Sequence, residues 1–287
     1  MREKPCLLTA AYAGPLVVAL ATSAVLAPFL PILAPLPLVT VLFLHRQPRQ
    51  TRDIDARDAA TLRVVSANLL LGNKKPERAI SKLISLKPDV LFLVEAPQEI
   101  VKLLPPGETL SYDSDTECGV LNVAVWTPHS VSQEGFIPAG SRRFPMYRIH
   151  TPSSRWLAAP VHLTAPNVPS RKRFWARQLD SLTVSLPRCE PDFIAGDFNA
   201  SWCNSKFQKM CRTTGFLPSG SLSSRLLPSW GPKGLVSLLR LDHVLTRRGV
   251  NSHSLRLHRV PGTDHRAVSV VLSRVPHSAE VRRQKLS

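Results

Sequence analysis

The stretch from Phe193 to Asn199 most constrains what this chain can fold into. It is a short apolar run that ends in a glycine and is followed by two polar residues, Asp197 and Asn199. Side chains two residues apart point the same way along an extended chain, so the pattern predicts a strand end that presents both polar groups, with Phe198 turned inward. A carboxylate beside a carboxamide suits a bound cation or an oriented water. The same letters also fit an ordinary turn after a strand.

Two earlier segments repeat the pattern of an apolar strand that ends in a polar group. Leu62–Leu69 is rich in β-branched residues and ends near Asn68, and Val90–Val94 is wholly apolar and precedes Glu95. Between them, Pro76 and apolar residues at helical spacing predict a helix. Ligand sites in α/β proteins lie beyond the carboxyl ends of such strands. Asn68 and Glu95 are therefore candidate site residues, although a strand-end acid can simply face solvent.

From residue 120 onward, the chain is predicted to alternate short strands, two helices and one long loop. Strands are predicted at 120–126, 144–149, 156–163, 240–245 and 268–272, helices at 169–186 and 206–212, and a Gly-, Ser- and Pro-rich loop at 213–239. His162 then lies near a strand end, and Asp264 and His265 lie before the last strand. A lone strand histidine is more often structural than catalytic.

Three cations open the helix predicted at 169–186, namely Arg171, Lys172 and Arg173. They fit an anion-facing patch, and they equally fit an ordinary solvated helix face.

Residues 6–44 contain no charged side chain. This run is longer than the apolar region of a signal peptide, about 7–15 residues, and nearly long enough for two membrane spans of about 20 residues each. Prolines past its midpoint would break a helix. The run therefore fits a hairpin of two spans, or one span followed by an interfacial stretch.

We predict a transmembrane anchor over 1–45 and a polar linker over 46–61. Basic residues at both ends of the apolar run favour the hairpin with both ends in the cytoplasm, whereas a single span puts one end outside. The expected location is the cell membrane, with the side of the following domain left open.

The formal charge of +17 predicts an anionic partner, such as nucleic acid, phosphorylated small molecules or anionic lipid head groups. A membrane protein with a basic juxtamembrane segment would account for part of this excess. We predict the basic tail 274–287 to be disordered. The five cysteines form no C-x-x-C pair, which argues against a structural zinc site. Cys203 and Cys211 could be bridged, but the odd count and irregular spacing of the cysteines favour free thiols and leave the redox compartment open.

Six short pieces, in order over residues 62–272, resemble motifs of the endonuclease/exonuclease/phosphatase superfamily. They are Ser66-Ala67-Asn68, the strand from Pro88 to Glu95, Val161-His162-Leu163, Gly196-Asp197-Phe198-Asn199, Leu241-Asp242-His243-Val244 and Thr263-Asp264-His265-Arg266. The segment around Trp230 and the apolar N-terminal run most resemble the bacterial membrane-anchored branch that includes glycopeptide-resistance-associated proteins.

The resemblance implies an α/β fold over 62–273, a DNase I-like four-layer sandwich of two mixed sheets face to face with outer helices, preceded by the transmembrane segment or segments. It also implies a monomeric hydrolase that cleaves phosphodiester or phosphomonoester bonds with Mg²⁺, or with Mn²⁺ as the alternative ion. The substrate would be nucleic acid or a phosphorylated lipid or cell-envelope precursor. The short segment 105–118 has no insertion to grip duplex DNA. A non-catalytic, membrane-tethered binding module is the rival expectation.

The resemblance also implies roles for single residues. Glu95 would be the principal Mg²⁺ ligand, with Asn68 beside it and Asp264 as a further ligand. Arg148 would contact the substrate phosphate. These residue types suit Mg²⁺, which takes a few carboxylate or carbonyl oxygens and keeps several waters.

The remaining predicted site residues would carry the chemistry. Asp197 would position or deprotonate the attacking water, and Asn199 would hold that water or the phosphate. His265, oriented by Asp242, would contact a phosphoryl oxygen, and His162 would give a proton to the leaving group. An aspartate paired with a histidine favours the imidazolium, which can donate to an oxyanion.

Overall fold

The computed structural model describes residues 61–115, 119–232 and 237–274. The predicted membrane anchor, nearly all of the predicted linker and nearly all of the basic tail lie outside the described residues. Thr61, assigned to the linker, is already the first residue of a strand, and Arg274, assigned to the tail, is the last residue of another. Within the described ranges, no helix is long and apolar enough to cross a membrane.

The described chain contains strands β1 to β12 and helices α1 to α5. The strands are β1 (Thr61–Asn68), β2 (Val90–Val94), β3 (Glu108–Ser114), β4 (Leu121–Thr127), β5 (Ser130–Ala139), β6 (Arg142–His150), β7 (Arg155–His162), β8 (Phe193–Asp197), β9 (Leu217–Pro218), β10 (Asp242–Thr246), β11 (Val250–Arg259) and β12 (Arg266–Arg274). The helices are α1 (Pro76–Ile84), α2 (Gln98–Val101), α3 (Pro169–Cys189), α4 (Ser205–Thr214) and α5 (Leu222–Arg225).

The strands form two mixed six-stranded sheets, as predicted. The first sheet has the order β11-β12-β1-β2-β4-β3, and the second has the order β5-β6-β7-β8-β10-β9. Each sheet contains one parallel pair, β1 with β2 and β7 with β8, and the chain crosses between the partners through α1 and α3 respectively. The two parallel pairs matter for function because their carboxyl ends share one edge of the sandwich.

Alternating side chains of the central strands divide the apolar core into layers. Val64 and Phe92 of the first sheet pack in the same cluster as Trp156 and Phe193 of the second, so this cluster lies between the sheets. Side chains of opposite parity pack against helices: α1 covers the outer face of the first sheet, and α3 and α4 cover that of the second. Burial on both faces explains why β2 and β8 are apolar throughout.

Four strands were not predicted, and all four are edge strands. β3 lies in the segment expected to be a loop at 105–118, β9 lies in the loop expected at 213–239, and β5 and β11 were not assigned to any element. The same loop also contains the short helix α5. Edge strands bury little surface, so their sequences lack a clear apolar period: β5, for example, is exposed along most of its length.

The prediction of free thiols is wrong for one cysteine. Cys203 is disulfide-bonded, whereas Cys189 and Cys211 are free. Cysteine spacing did not indicate the bond because a disulfide depends on the approach of two Cα atoms in space, which the sequence interval does not report.

Gly196 allows the two parallel strands of the second sheet to approach each other next to the predicted site. Its φ is +150°, and a Cβ atom at this position would overlap the carbonyl oxygen of Val161 on β7. Residues that carry a side chain rarely adopt this backbone conformation, so only glycine fits here without a shift of one strand. The residue that follows is Asp197, so the site depends on this close approach.

We therefore expect Gly196→Ala to destabilise the domain by about 3 kcal/mol or more, because strands β7 and β8 must separate. Gly72→Ala is the matched control, since Gly72 also has positive φ but a Cβ there meets nothing within 4 Å; it should cost only about 1 kcal/mol. Urea unfolding of both variants measures the difference. Equal stability of the two variants would contradict the steric explanation.

Candidate active site

The ends of β1, β2, β7 and β8 bring the predicted residues to one edge of the sandwich. In the first sheet, Asn68 pairs with Val94, the residue before Glu95. In the second sheet, Asp197 lies between His162 on one neighbouring strand and Asp242 on the other. The strand-end pattern in the sequence therefore predicted a real cluster.

Asn68 links the carboxylates that the two sheets contribute. Its Nδ2 donates to Glu95 Oε1 at 2.9 Å and to Asp197 Oδ2 at 3.1 Å, while its Oδ1 accepts from the backbone N–H of Leu70. Asn68 thus faces both carboxylates with its NH₂ group and holds them close together. Its predicted role as a metal ligand stays a prediction.

Glu95 projects into the cleft from a left-handed turn, with φ of +53°. Its Oε2 accepts from the N–H of Leu71 at 2.8 Å, and its Oε1 lies 3.6 Å from His162 Nε2. Burial alone would raise the pKa of Glu95, but His162, the Leu71 N–H and the Asn68 amide outweigh it and hold this pKa below its ordinary value. Glu95 is therefore a carboxylate at neutral pH.

His265 is held as a cation by the carboxylate behind it. Its Nδ1 donates to Asp242 Oδ2 at 2.9 Å, and Ser229 Oγ donates to the same oxygen at 2.6 Å. Burial would lower the pKa of His265, but Asp242 above all, and then Asp197 and Asp264, raise it to about 10. The predicted pairing of His265 with Asp242 is present, and it leaves His265 Nε2 facing the cleft.

Asp197 is buried, and its environment suits a group that takes up a proton. Burial and the nearby Asp242 raise the pKa of Asp197 to about 7, against the opposing effects of His265, the Asn199 N–H and Asn68. Its Oδ2 lies 3.8 Å from His265 Nε2. A pKa near the working pH favours general-base catalysis.

The sequence predicted that the side chains of Asn199 and Asp197 point the same way, but in the structure they do not. The backbone of Asn199 is left-handed, with φ of +46°, and its N–H donates back to Asp197 Oδ1 at 2.8 Å. Its Nδ2 donates to the carbonyl of Leu163. The tight turn replaces the extended geometry on which the i, i+2 argument relied, while Phe198 is fully buried as predicted.

His162 is neutral at neutral pH. Burial lowers its pKa to about 4, and Arg142 adds to this effect, while Glu95 opposes it. Arg142 also donates to the His162 carbonyl at 2.8 Å, which fixes the end of β7. The neutral ring can offer one N–H to a substrate, and its role as proton donor to the leaving group stays a prediction.

Asp264 supplies a further carboxylate. Its Oδ2 accepts from Trp230 Nε1 at 3.0 Å, and its Oδ1 is 4.0 Å from His265 Nε2. Within the described part of the chain, this buried Oδ1 has no hydrogen-bond partner.

The residues present fit a divalent cation. Asp264 Oδ1 is a buried anionic oxygen without a hydrogen bond, and Glu95 and Asp197 add two more carboxylates to the same cleft. Oxygen donors of this kind suit Mg²⁺. Ligand atoms of Asp197, Asp242 and His265 also lie within 4.8 Å of one another. That trio is a poorer site, because the His265 imidazolium has no free lone pair and already donates to Asp242.

Arg148 is not part of this cluster, which corrects the prediction that it contacts substrate phosphate. It forms a bidentate ion pair with Glu134 on β5. The β6 residue at the catalytic edge is Arg142, and six residues of strand separate the two by about 20 Å. The predicted arginine was therefore on the correct strand, β6, but at the end away from the candidate site.

Sequence reasoning missed the residues that orient the cluster. Ser229 and Trp230 bind Asp242 and Asp264, and Thr263 Oγ1 donates to the Asn68 carbonyl. Ser229 and Trp230 belong to the segment expected to be a loop, where no apolar period marks a position as buried. The resemblance drew attention to Trp230 but gave it no role.

His243 anchors the turn behind Asp197. It is buried against Phe198 and Phe207, and its Nε2–H donates to the Ala200 carbonyl at 2.8 Å. Burial first, and then Arg240, lower the pKa of His243 from 6.5 to about 3. The folded domain therefore holds this ring neutral.

This shift predicts acid sensitivity. Below pH 6.5 the unfolded chain protonates His243, whereas the folded domain does so only near pH 3, so stability falls as the pH drops through this window. Between pH 7 and pH 4.5 the wild type should lose about 2 kcal/mol more unfolding free energy than His243→Gln, which cannot titrate. Urea unfolding at both pH values measures this difference, and equal losses in the two proteins would refute it.

The architecture and the cleft together define an α/β protein with a two-sheet sandwich and a carboxylate–histidine site at one edge. A profile of the Endonuclease/Exonuclease/phosphatase family matches residues 65–265, and the chain belongs to this family. Members of the family are phosphoester hydrolases. No curated protein sequence matches the chain.

Solved structures have the same fold at low sequence identity. An endonuclease/exonuclease/phosphatase from Beutenbergia cavernae has a TM-score of 0.59 at 17% identity, covering 75% of this chain and 72% of that one. Humanized D. rerio TDP2 has a TM-score of 0.55 at 16% identity, covering 74% of this chain and 99% of its own. A Staphylococcus aureus beta toxin double mutant with bound magnesium ions has a TM-score of 0.53 at 13% identity, covering 73% of this chain and 98% of its own.

The last two comparisons also bear on the extent of the domain. Nearly the whole of each of those chains matches only about three quarters of this one. The described part of this chain therefore has about the extent of those whole chains.

Proposed function

We propose that the protein is a membrane-anchored, divalent-metal-dependent phosphoesterase. The observation that carries the proposal is that a histidine held in its protonated form and an aspartate able to accept a proton face each other in one cleft. His265 is kept cationic by Asp242, and 3.8 Å away Asp197 has a pKa near 7. A phosphoester needs both a donor for its anionic oxygens and a base for the attacking water.

Each of these residues has one task in the proposed reaction. Asp197 accepts the proton of the attacking water, and the left-handed turn at Asn199 fixes the orientation of that carboxylate. His265 donates through Nε2 to a phosphoryl oxygen. His162, being neutral, offers a hydrogen bond to the leaving oxygen. Asn68 holds Glu95 of the first sheet close to Asp197 of the second.

Glu95 and Asp264 are the residues that would hold the divalent ion, with Asn68 next to them. When bound, Mg²⁺ or Mn²⁺ would neutralise charge on the phosphoryl group. Several carboxylates converge in this cleft, and their mutual repulsion in the absence of a metal ion supports metal dependence.

For the substrate, we propose a phosphorylated lipid or cell-envelope precursor. Two observations support this choice: the charge-free run at residues 6–44, proposed to anchor the domain, and the resemblance to glycopeptide-resistance-associated proteins. Disulfides persist in oxidising compartments, and Cys203 is disulfide-bonded. We therefore propose that the domain faces the outside of the cytoplasmic membrane and acts there as a monomer.

A nuclease is the second candidate, favoured by the net charge of +17. Binding to nucleic acid would weaken steeply with salt as counterions are released. This candidate would be favoured over the envelope substrate if the protein cleaves DNA or RNA and the Michaelis constant of that cleavage rises steeply between low and physiological salt.

Hydrolysis of bis-p-nitrophenyl phosphate by residues 46–287 tests the proposed chemistry. We expect turnover with Mg²⁺, none with EDTA, and a fall of at least about 100-fold in kcat for Asp197→Ala and for His265→Ala. Turnover of p-nitrophenyl phosphate, run in parallel, separates diesterase from monoesterase activity.

Asp180→Ala is the matched control for this assay. Asp180 is an exposed carboxylate on α3 that pairs with Lys206, so its loss should leave kcat unchanged. Metal-dependent activity that survives Glu95→Ala and His265→Ala would refute the assigned roles. Absence of any turnover with Mg²⁺ or Mn²⁺, on these esters and on isolated envelope lipids, would favour the binding-module alternative.

The proposed compartment can be checked through Cys203. In protein denatured directly from cells under non-reducing conditions, Cys203 should resist a maleimide reagent and become reactive only after reduction. Cys189 and Cys211, the free thiols, should react in both conditions and act as internal controls. Full labelling of Cys203 without reductant would place the domain in a reducing compartment.

A further inference from the structure

Four exposed apolar side chains lie around the mouth of the active-site cleft. Among the described residues, seven large hydrophobic side chains are exposed. Four of the seven are on loops at the catalytic edge: Leu71, Val120, Val168 and Leu238. We call these four residues the apolar rim.

In the first sheet, the rim residues flank the strand that delivers Glu95. Leu71 follows β1, and Val120 precedes β4, while β2 lies between these two strands. Because β4 runs antiparallel to β2, its beginning lies at the same edge as the end of β2. Neighbouring strands are about 4.8 Å apart, so the two loops leave the sheet about 10 Å apart.

The second sheet repeats this arrangement around Asp197. Val168 lies in the connection after β7, and Leu238 precedes β10, while β8 lies between them. The backbone N–H of Leu238 donates to the carbonyl of Trp230, which itself binds Asp264, so Leu238 is at the mouth. Facing sheets are about 10 Å apart. The loops that carry the apolar rim therefore leave both sheets on either side of the strands that precede Glu95 and end at Asp197.

Exposed cations follow two of the rim residues. Lys74 and Lys75 come shortly after Leu71, and Arg171, Lys172 and Arg173 come shortly after Val168. The last three occupy the start of α3, which has no acidic residue in its first turn. Cations are unfavourable at the positive end of a helix dipole, so this arrangement gains stability when anions lie beside it.

We propose that the apolar rim and these five cations form a docking surface for an anionic lipid bilayer. Apolar side chains that insert between head groups, next to basic side chains that contact lipid phosphates, are the combination that binds such a surface. A nucleic acid would use the cations but leave the four apolar side chains in water. Docking in this orientation places the cleft directly over the lipid head groups.

The proposed anchor is compatible with this orientation. β1 begins at the edge opposite the cleft, and its eight residues span about 26 Å. Residues 46–60 reach at most about 50 Å when extended. The connection is therefore long enough for the domain to turn its catalytic edge toward the membrane that holds the apolar run.

Co-sedimentation with vesicles tests the docking surface, using residues 46–287 so that the apolar run does not contribute. We expect binding to phosphatidylcholine vesicles that contain about one third phosphatidylglycerol, and at least about tenfold weaker binding to phosphatidylcholine alone. Leu71→Ser with Val168→Ser should weaken binding to the anionic vesicles about tenfold. Lys74→Gln, Lys75→Gln, Arg171→Gln and Arg173→Gln combined should weaken it at least as much.

Matched controls exist for both variants. Val184 and Leu217 are exposed to 53% and 45%, close to the 47% of Val168 and the 53% of Leu71, and lie away from the rim. Val184→Ser with Leu217→Ser should leave binding unchanged. So should Lys82→Gln, Lys87→Gln, Arg212→Gln and Arg248→Gln combined. Thermal unfolding of every variant excludes loss of the fold as the cause.

Two results would overturn the proposal. One is no binding to anionic vesicles; the other is binding that the rim substitutions leave intact, which would reduce the surface to a simple cation patch. The inference concerns where the cleft docks and not which bond is broken, and vesicle binding requires no turnover. An inactive protein that binds vesicles would contradict only the proposed function, and an active protein that ignores them would contradict only the docking.

Discussion

Electrostatic repulsion between buried and partly buried carboxylates is the constraint on which the rest of the site depends. Glu95, Asp197, Asp242 and Asp264 converge in one cleft, and like charges so close in a poorly solvated environment repel strongly. The chain answers this repulsion with the His265 cation and with donors to individual oxygens, including the Asn68 amide, the Ser229 hydroxyl and the Trp230 indole. Charge that remains after these contacts would favour a bound cation, as proposed above, and it raises the pKa of Asp197.

The sequence predicted the centre of the fold better than its margins. β2 and β8 were found because they are buried on both faces, and burial on both faces leaves an unbroken apolar run that ends at a polar group. The strands that were missed are held by hydrogen bonds to a single neighbour and bury little, so their residues are under weak compositional constraint. The hydrogen-bond donors of the Ser229 segment were missed for a different reason. They are buried or partly buried, but they lie in a Gly-, Ser- and Pro-rich stretch whose composition predicts a loop.

For the site, the strand-end residues came together as expected, but their detailed roles depended on three-dimensional contacts. The pairing of His265 with Asp242 could be anticipated from the family resemblance. The neutral state of His162 could not, because it follows from burial and from Arg142, a residue that is distant in sequence. Arg148 was assigned to the correct strand but to the wrong end of it. The register with β7 pairs Arg148 with Leu157, far from the end of β7 at His162.

The hydrogen bonds from Asn68 to Glu95 and Asp197 cross from one sheet to the other. Each sheet therefore carries only part of the candidate site. A small sliding motion of one sheet over the other would separate Glu95 from His162 while leaving every strand and helix intact. The geometry of the candidate site is in this sense a property of the interface between the sheets, where Phe92, Trp156 and Phe193 pack against one another.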